Sequence, residues 1–121
     1  MINYYIVSFS GGKDSTALLL RLLELGEPID EVIYCDTTME FPAMYRHIEK
    51  VKKIVDAANI KFTILKAQES FKYLMLEKER KGKEKRGYAW PLPTIRWCSS
   101  QLKISVIKKY ITALKKTYNV I

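Results

Sequence analysis

The residues best suited to chemistry lie in one short segment, Ser10–Ser15, with the sequence Ser-Gly-Gly-Lys-Asp-Ser. An apolar run precedes this segment and a leucine-rich stretch follows it, which predicts a turn between a buried strand and a helix. The amides of such a turn and the positive end of the helix dipole face the same point. The glycines let the backbone approach an anion closely, and Lys13 can add charge. Hydroxyl groups of Ser10, Ser15 and Thr16 can add donors, so the segment predicts a phosphate or sulfate site.

This segment differs from the Walker phosphate loop. The G-x-x-x-x-G-K-[ST] spacing requires a glycine where Val7 stands and a hydroxyl residue where Asp14 stands. A turn with two glycines can also serve geometry alone, without any ligand. The combination of glycines, lysine and hydroxyl residues favours the anion site over that alternative.

Alternating strands and helices should position the segment. Strands are predicted at Tyr4–Phe9, Glu31–Cys35 and Lys61–Leu65, and a first helix at Asp14–Leu25. A second helix is indicated by the helical spacing of four apolar residues, Met44, Ile48, Val51 and Val55. Strands that alternate with helices need crossover connections, so we expect an α/β fold with a parallel sheet and helices on both faces.

The second half of the chain continues this pattern. A helix is predicted at Ser70–Glu79, and a last helix begins near Ser99 or Ser100. Its apolar stripe comprises Leu102, Val106, Tyr110 and Leu114. Tyr118–Ile121 resembles the opening of a fourth strand, so the chain is interpreted as a fragment or a minimal domain.

Composition sets broad limits on function. The 121 residues, 48% of them hydrophobic, predict one compact domain over residues 1–121. The 21 basic and 13 acidic residues give a net charge of +8, which favours anionic partners. No apolar run could span a bilayer and no signal peptide is evident, so we expect a cytoplasmic protein without membrane contact. The two cysteines, Cys35 and Cys98, cannot form a disulfide framework.

Three segments carry a resemblance to a known family. The string SGGKDS after a first buried strand resembles the PP-loop of the adenine nucleotide α-hydrolase superfamily, whose fold is Rossmann-like. The segment Asp36–Pro42 (DTTMEFP) resembles the D-T-G-x-E-F-P element of the phosphoadenosine phosphosulfate (PAPS) reductase-like branch, with Thr38 where glycine is usual. Trp90-Pro91 with Arg96–Lys103 (RWCSSQLK) is similar to the W-P…R-W-C-T-x-x-L-K segment of that branch.

The resemblance implies an enzyme of sulfur metabolism that binds PAPS, adenosine phosphosulfate or ATP. The implied reaction is sulfonucleotide reduction or AMP-forming activation by an ATP pyrophosphatase. Implied catalytic residues are Lys13, Asp14 and Cys98. Implied nucleotide-binding residues are Ser8, Ser10, Gly11, Gly12, Lys13, Asp14, Ser15, Thr16, Asp36, Thr37, Arg96 and Lys103.

The resemblance also bears on cofactors and partners. With ATP as substrate, Asp14 and Asp36 are expected to hold Mg²⁺. No iron–sulfur cluster is expected, because Cys98 stands alone where the iron–sulfur branch has a cysteine pair. A reductase would take its attacking thiol from Cys98, from a missing segment or from a donor protein such as thioredoxin. A homo-oligomer is also considered.

Several assignments keep an alternative. Asp36 can instead cap the next helix, Arg96 and Lys103 can be ordinary surface cations, and Cys98 can be an inert small apolar residue. His47 lies on a charged helical face and is interpreted as exposed.

The basic segment Glu77–Arg86 contains six basic and three acidic residues. It is interpreted as solvated, and residues 81–95 as a mobile basic and proline-containing loop. The alternative function is a non-catalytic subunit that binds nucleotides, or nucleic acid through residues 78–86.

Overall fold

The computed structural model describes residues 1–78, 87 and 100–121, with the backbone alone at residues 100 and 101. It confirms the predicted α/β fold. Its elements are β1 (Asn3–Tyr4), β2 (Ile6–Phe9), α1 (Lys13–Leu25), β3 (Glu31–Asp36), α2 (Pro42–Ala57), β4 (Lys61–Lys66), α3 (Phe71–Leu76), a π-helix (Ser100–Ile104), α4 (Ser105–Leu114) and β5 (Asn119–Val120).

All strand pairs are parallel. β2 pairs with β3 and β3 with β4, while β1 pairs with β5. The segment of β1 and β2 has a neighbouring strand on each side. On one side the amide of Ile6 donates to the carbonyl of Ile121, next to β5; on the other side the amide of Glu31 in β3 donates to the carbonyl of Tyr5. β5 and β3 therefore flank the β1–β2 segment on opposite sides, and the order of strands along the chain reverses at this segment.

The main core lies between one face of the sheet and the helices α1 and α2. The apolar stripes of these helices meet alternate residues of the strands, because a strand presents every second side chain to one face. The buried members of this core are Val7, Phe9, Leu19, Val32, Tyr34, Ile48, Val51 and Val55.

The opposite face packs against the π-helix and α4. Cys35 in β3 donates from Sγ to the carbonyl of Leu102 over 2.7 Å. Leu102 is buried with Phe71 and Leu74 in a second apolar cluster. Helices therefore cover both faces of the sheet, as the alternation of strands and helices predicted.

A buried carboxylate ties the amino end of the sheet together. Glu31 is fully buried and accepts hydrogen bonds from the phenols of Tyr4 and Tyr110, and Lys61 Nζ lies 3.6 Å from its Oε1. Burial alone would raise the pKa of Glu31, but the hydrogen bonds from Tyr110 and Tyr4 outweigh it and hold that pKa below its usual value. This cluster joins β1, β3, β4 and α4 at the end of the sheet opposite the Ser10–Ser15 segment.

Apart from one-residue shifts in α1, β3 and β4, three elements differ from the sequence predictions. The first strand is divided at Tyr5, whose amide donates to the Asp30 carboxylate over 2.7 Å instead of continuing a ladder. α3 ends at Leu76 rather than Glu79, because Ser70 is its N-cap and Glu77 its C-cap. The last helix begins with a π-helical turn at Ser100 before α4. The short fourth strand predicted at Tyr118–Ile121 is present as β5.

The helices within the described ranges are too short or too polar to cross a membrane. Apart from Gly87, the predicted mobile loop at residues 81–95 lies outside the described residues, and so does most of the basic segment.

Candidate functional site

The Ser10–Ser15 segment lies at the carboxyl end of the first strand. β2 ends at Phe9 and α1 begins at Lys13, with Gly12 as the N-cap. β3 and β5 flank this strand on opposite sides, so the segment sits beside the reversal of strand order. Open α/β sheets bind ligands in the crevice that such a reversal leaves at the carboxyl edge.

The Gly12 carbonyl joins the segment to the first turn of α1 by hydrogen bonds. It accepts from the Thr16 amide over 3.0 Å, from Thr16 Oγ1 over 2.7 Å and from Ser15 Oγ over 3.3 Å. All three donors belong to the first turn of α1, so this carbonyl points along the helix. In a trans peptide the following amide, that of Lys13, points the opposite way, out of the helix end.

The first amides of α1 are available for an anion. Those of Lys13 and Asp14 belong to the first turn, where a helix supplies no acceptor. Among the residues the structure describes, none accepts a hydrogen bond from either amide. Both side chains are exposed. Together with the helix dipole, these amides make this end of the helix suited to an anion.

The hydroxyl groups of the segment mostly bond to one another and to the backbone. Ser10 Oγ and Ser15 Oγ are 2.9 Å apart, and Ser15 Oγ also accepts from the Ser10 amide over 3.3 Å. The Thr16 hydroxyl gives its proton to the Gly12 carbonyl. Rotation of the Ser10 hydroxyl would turn one proton toward an anion, whereas Thr16 acts within the helix end. Direct contact of these three residues with a nucleotide stays a prediction.

Gly11 brings the segment close to α2. Its φ is +88°, in the left-handed region that favours glycine. A Cβ at this position would lie 2.8 Å from Met44 Sδ and 3.4 Å from Ile48 Cδ1. α2 therefore packs directly against the turn.

His47 also joins α2 to this turn, and its interpretation as exposed was wrong. The residue is half-buried, and its Nε2 lies 2.9 Å from Thr16 Oγ1. Its ring centroid lies 6.4 Å from that of buried Phe9. Sequence reasoning missed this residue, although it follows Met44 by three positions and so lies beside the apolar stripe of α2.

Asp36 lies at the carboxyl end of β3 and is held on both oxygens. Its Oδ1 accepts from the Thr38 amide over 2.8 Å and from the Tyr45 phenol over 2.9 Å. Its Oδ2 lies 3.8 Å from Lys66 Nζ. The alternative of a helix cap is wrong, because the N-cap of α2 is Phe41. Asp36 instead closes the turn that follows β3.

Thr37 is buried and bonded within the same turn. Its hydroxyl donates to the Glu40 carboxylate over 2.9 Å and accepts from the Met39 amide. The predicted contact of Asp36 and Thr37 with adenosine stays a prediction. The structure places both residues at the same edge of the sheet as the Ser10–Ser15 segment.

Comparison with known proteins identifies the family. The model of the phosphoadenosine phosphosulfate reductase domain matches residues 4–121. The chain belongs to this family. The match begins within β1 and includes the Ser10–Ser15 segment, the turn after β3 and β5.

Two similar proteins from Methanocaldococcus jannaschii are both named as uncharacterized. MJ0973 is 34% identical over 119 residues, which is 98% of this chain and 25% of that protein. MJ0066 is 33% identical over 107 residues, which is 88% of this chain and 19% of that protein. The chain thus spans a quarter or less of the length of these relatives. No solved structure matches it.

Few side chains in the described part of the chain are placed to hold a metal ion. No group of three or more His, Cys, Asp or Glu side chains suited to a metal occurs within residues 1–78, 87 and 100–121. Mg²⁺ commonly takes one or two carboxylates, and water and substrate phosphates complete its shell. Exposed Asp14, in the first turn of α1, fits that mode. For Asp36 to bind Mg²⁺, its carboxylate would first have to give up its contacts with Lys66 and Tyr45.

The cysteine in β3 is not arranged as a nucleophile. Burial raises the pKa of Cys35, although the positive charge of Lys103 opposes the rise. The carbonyl of Leu102 accepts from Cys35 Sγ, so Lys103, the next residue, lies near the carboxyl edge of β3, and its predicted contact with an anion stays a prediction. Ser8 is exposed on β2, on the face opposite buried Val7 and Phe9. Arg96 and Cys98 lie outside the described residues.

Proposed function

We propose that this chain is an enzyme domain that binds the phosphate or sulfate groups of an adenine nucleotide on the Ser10–Ser15 segment. The observation that carries the proposal is the pair of amides of Lys13 and Asp14 at the start of α1, from which no described residue accepts a hydrogen bond. They stand beside the reversal of strand order in a member of the PAPS reductase domain family. That combination supports a nucleotide over an isolated anion.

The site stabilises negative charge in two ways. The amides and the helix dipole provide fixed donors, and the Lys13 ammonium provides a mobile charge close to them. Such groups act on charge that develops at phosphorus or on a departing group, where fixed dipoles need no reorganisation. A Mg²⁺ ion on Asp14 would add Lewis-acid stabilisation of the phosphate oxygens when ATP is the ligand.

Two reactions of sulfur metabolism are compatible with this site. In AMP-forming activation, an acceptor attacks the α-phosphorus of ATP, and the bond to the bridging oxygen breaks so that pyrophosphate leaves. In sulfonucleotide reduction, a thiolate attacks the sulfur atom, and the S–O bond to the nucleotide phosphate breaks. Cys35 is unsuited to the second role, so that thiolate would come from Cys98, from a segment outside this sequence or from a thiol donor protein.

Calorimetric titration tests the proposal. The chain is titrated with ATP, adenosine phosphosulfate and PAPS, each with and without Mg²⁺. Lys13→Ala is expected to weaken binding by roughly tenfold or more, as the loss of a hydrogen bond to a charged group does. The matched control is Lys53→Ala, which removes an exposed lysine on α2. The control should bind as the unchanged chain does.

The outcomes separate the two reactions. Selective binding of a sulfonucleotide supports reduction, and Mg²⁺-dependent binding of ATP supports activation. Equal losses in Lys13→Ala and Lys53→Ala would remove Lys13 from the site. Failure of all three nucleotides to bind the unchanged chain would refute the proposal.

A further inference from the structure

The histidine on α2 belongs to a chain of hydrogen bonds that ends at the anion-binding turn. His47 Nε2 lies 2.9 Å from Thr16 Oγ1, and Thr16 Oγ1 lies 2.7 Å from the Gly12 carbonyl oxygen. A carbonyl oxygen only accepts, so the single hydroxyl proton of Thr16 goes to Gly12. The Thr16 oxygen must then accept from His47. This geometry assigns the proton of the neutral imidazole to Nε2.

We propose that His47 is a positioning residue for the anion-binding turn. Its Nε2–H holds the Thr16 hydroxyl in the rotamer that donates to Gly12, and that bond holds the Gly12 carbonyl along α1. Because the Gly12 carbonyl and the Lys13 amide share one trans peptide plane, fixing the carbonyl also fixes the amide. The Lys13 N–H then stays directed at the crevice before any ligand arrives. This inference rests on the proposed binding of a nucleotide at that turn.

The surroundings of His47 make it suited to this role. The imidazole packs near Phe9, which is only 2% exposed and which ends β2 directly before the turn. Met44, three residues before His47, and Ile48, the residue after it, contact the position that a Gly11 side chain would occupy. The ring is therefore held by α2 on one side and by the strand on the other. Preorganised donors of this kind lower the cost of binding an anion, because less freedom is lost when it binds.

Binding of ATP to two variants of His47 tests the inference. His47→Leu keeps the bulk of the side chain and removes the donor, whereas the Nε2 amide of His47→Gln can donate from a similar distance. ATP affinity should fall roughly three- to tenfold in His47→Leu, the range for loss of one neutral hydrogen bond. His47→Gln should stay within about twofold of the unchanged chain, because it preserves that bond. Lys50→Gln, an exposed position on the same helix, is the matched control.

Variants of Thr16 provide a second test if His47→Leu does not fold. Thr16→Val removes the hydroxyl and should reproduce the loss in ATP affinity, whereas Thr16→Ser should not. In the double variant His47→Leu, Thr16→Val the losses should not add, because both changes break the same chain of hydrogen bonds. Additive losses would show that the two residues act separately and would overturn the inference.

The imidazole tautomer tests the direction of the His47–Thr16 hydrogen bond without any ligand. Long-range ¹H–¹⁵N correlation spectra at pH 8 should show the His47 proton on Nε2. A proton on Nδ1 would make Nε2 an acceptor and would overturn the assignment. If the unchanged chain binds none of the nucleotides, the proposed function fails as a whole. If it binds ATP and His47→Leu binds equally well, only the role of His47 fails.

Discussion

Substitution of Gly11 by alanine should destabilise the fold more than any other single glycine-to-alanine change in the turn before α1. The residue has φ +88°, and a non-glycine residue in this region is disfavoured by about 1–2 kcal/mol. The new methyl group would also meet Met44 Sδ at 2.8 Å, well inside the ordinary contact distance. Met44 is flexible and can give way, but overpacking of a well-packed region adds typically about 1–3 kcal/mol.

The two terms together give an expected loss of about 2–5 kcal/mol in the free energy of unfolding. For a domain of this size, each kcal/mol corresponds to a fall of about 4 °C in Tm. Thermal and urea unfolding followed by far-ultraviolet circular dichroism would measure the loss directly. The m-value should stay unchanged, since the substitution alters packing and not the surface exposed on unfolding.

Two other glycines separate the contributions. Gly26 has φ +70° and nothing within 4 Å of an added Cβ, so Gly26→Ala should cost only the conformational term. Gly12 has φ −78° and an ordinary contact of 3.6 Å to Ser10 Oγ, so Gly12→Ala should stay within about 1 kcal/mol of the unchanged chain. The expected order of loss is Gly11, then Gly26, then Gly12. A Gly11→Ala variant no less stable than Gly26→Ala would refute the packing of α2 against the turn.

Two further changes probe polar groups in the core of the sheet. Glu31→Gln should cost about 2 kcal/mol, because it weakens hydrogen bonds that a buried carboxylate accepts from Tyr4 and Tyr110. Since the folded pKa of Glu31 is lowered, its stabilising effect is present above the unfolded pKa of about 4.3 and is lost as pH falls through the folded value. Urea unfolding between pH 3 and 7 should therefore show a steeper acid loss in the unchanged chain than in Glu31→Gln, and parallel curves would contradict the assignment. Tyr34→Phe should leave stability unchanged or raise it by about 1 kcal/mol, because the buried Tyr34 hydroxyl has no partner among the described residues; a clear loss in Tm would show that the hydroxyl is bonded after all.

The fold was predictable from sequence where the signals were local. The apolar run before Ser10, the glycine turn and the spacing of Met44, Ile48, Val51 and Val55 each specify an element over a few residues. Alternation of those elements then leaves a parallel sheet as the arrangement that buries both kinds of apolar face. The division of the first strand at Tyr5 was not predictable in this way. It depends on the Asp30 side chain, which is 25 residues away in sequence.

The same limit applies to the site. The proposed anion-binding turn is a contiguous string, so the sequence alone was enough to propose its residues and the chemistry that they suit. The partner of Thr16 is 31 residues away on α2, and only the packing of α1 and α2 in the same core brings His47 to it. Asp36 illustrates the same point, since an aspartate between a strand and a helix suits a cap equally well. In the structure the Asp36 carboxylate instead contacts Tyr45 and Lys66, which lie on two different elements.

Thr38 shows how a departure from the family pattern can be accommodated by the fold. It stands where the family usually has glycine and has φ +68°, a conformation that a β-branched residue adopts only under strain of about 1–2 kcal/mol. Its hydroxyl, however, accepts a hydrogen bond from the Phe71 amide over 3.1 Å, and Phe71 is the first residue of α3. A hydrogen bond of this kind contributes typically about 0.5–1.5 kcal/mol, so it offsets much of the strain. A glycine here would relieve the strain and remove the bond to the Phe71 amide; threonine therefore joins α3 to the edge of the sheet that carries Asp36 and the proposed anion-binding turn.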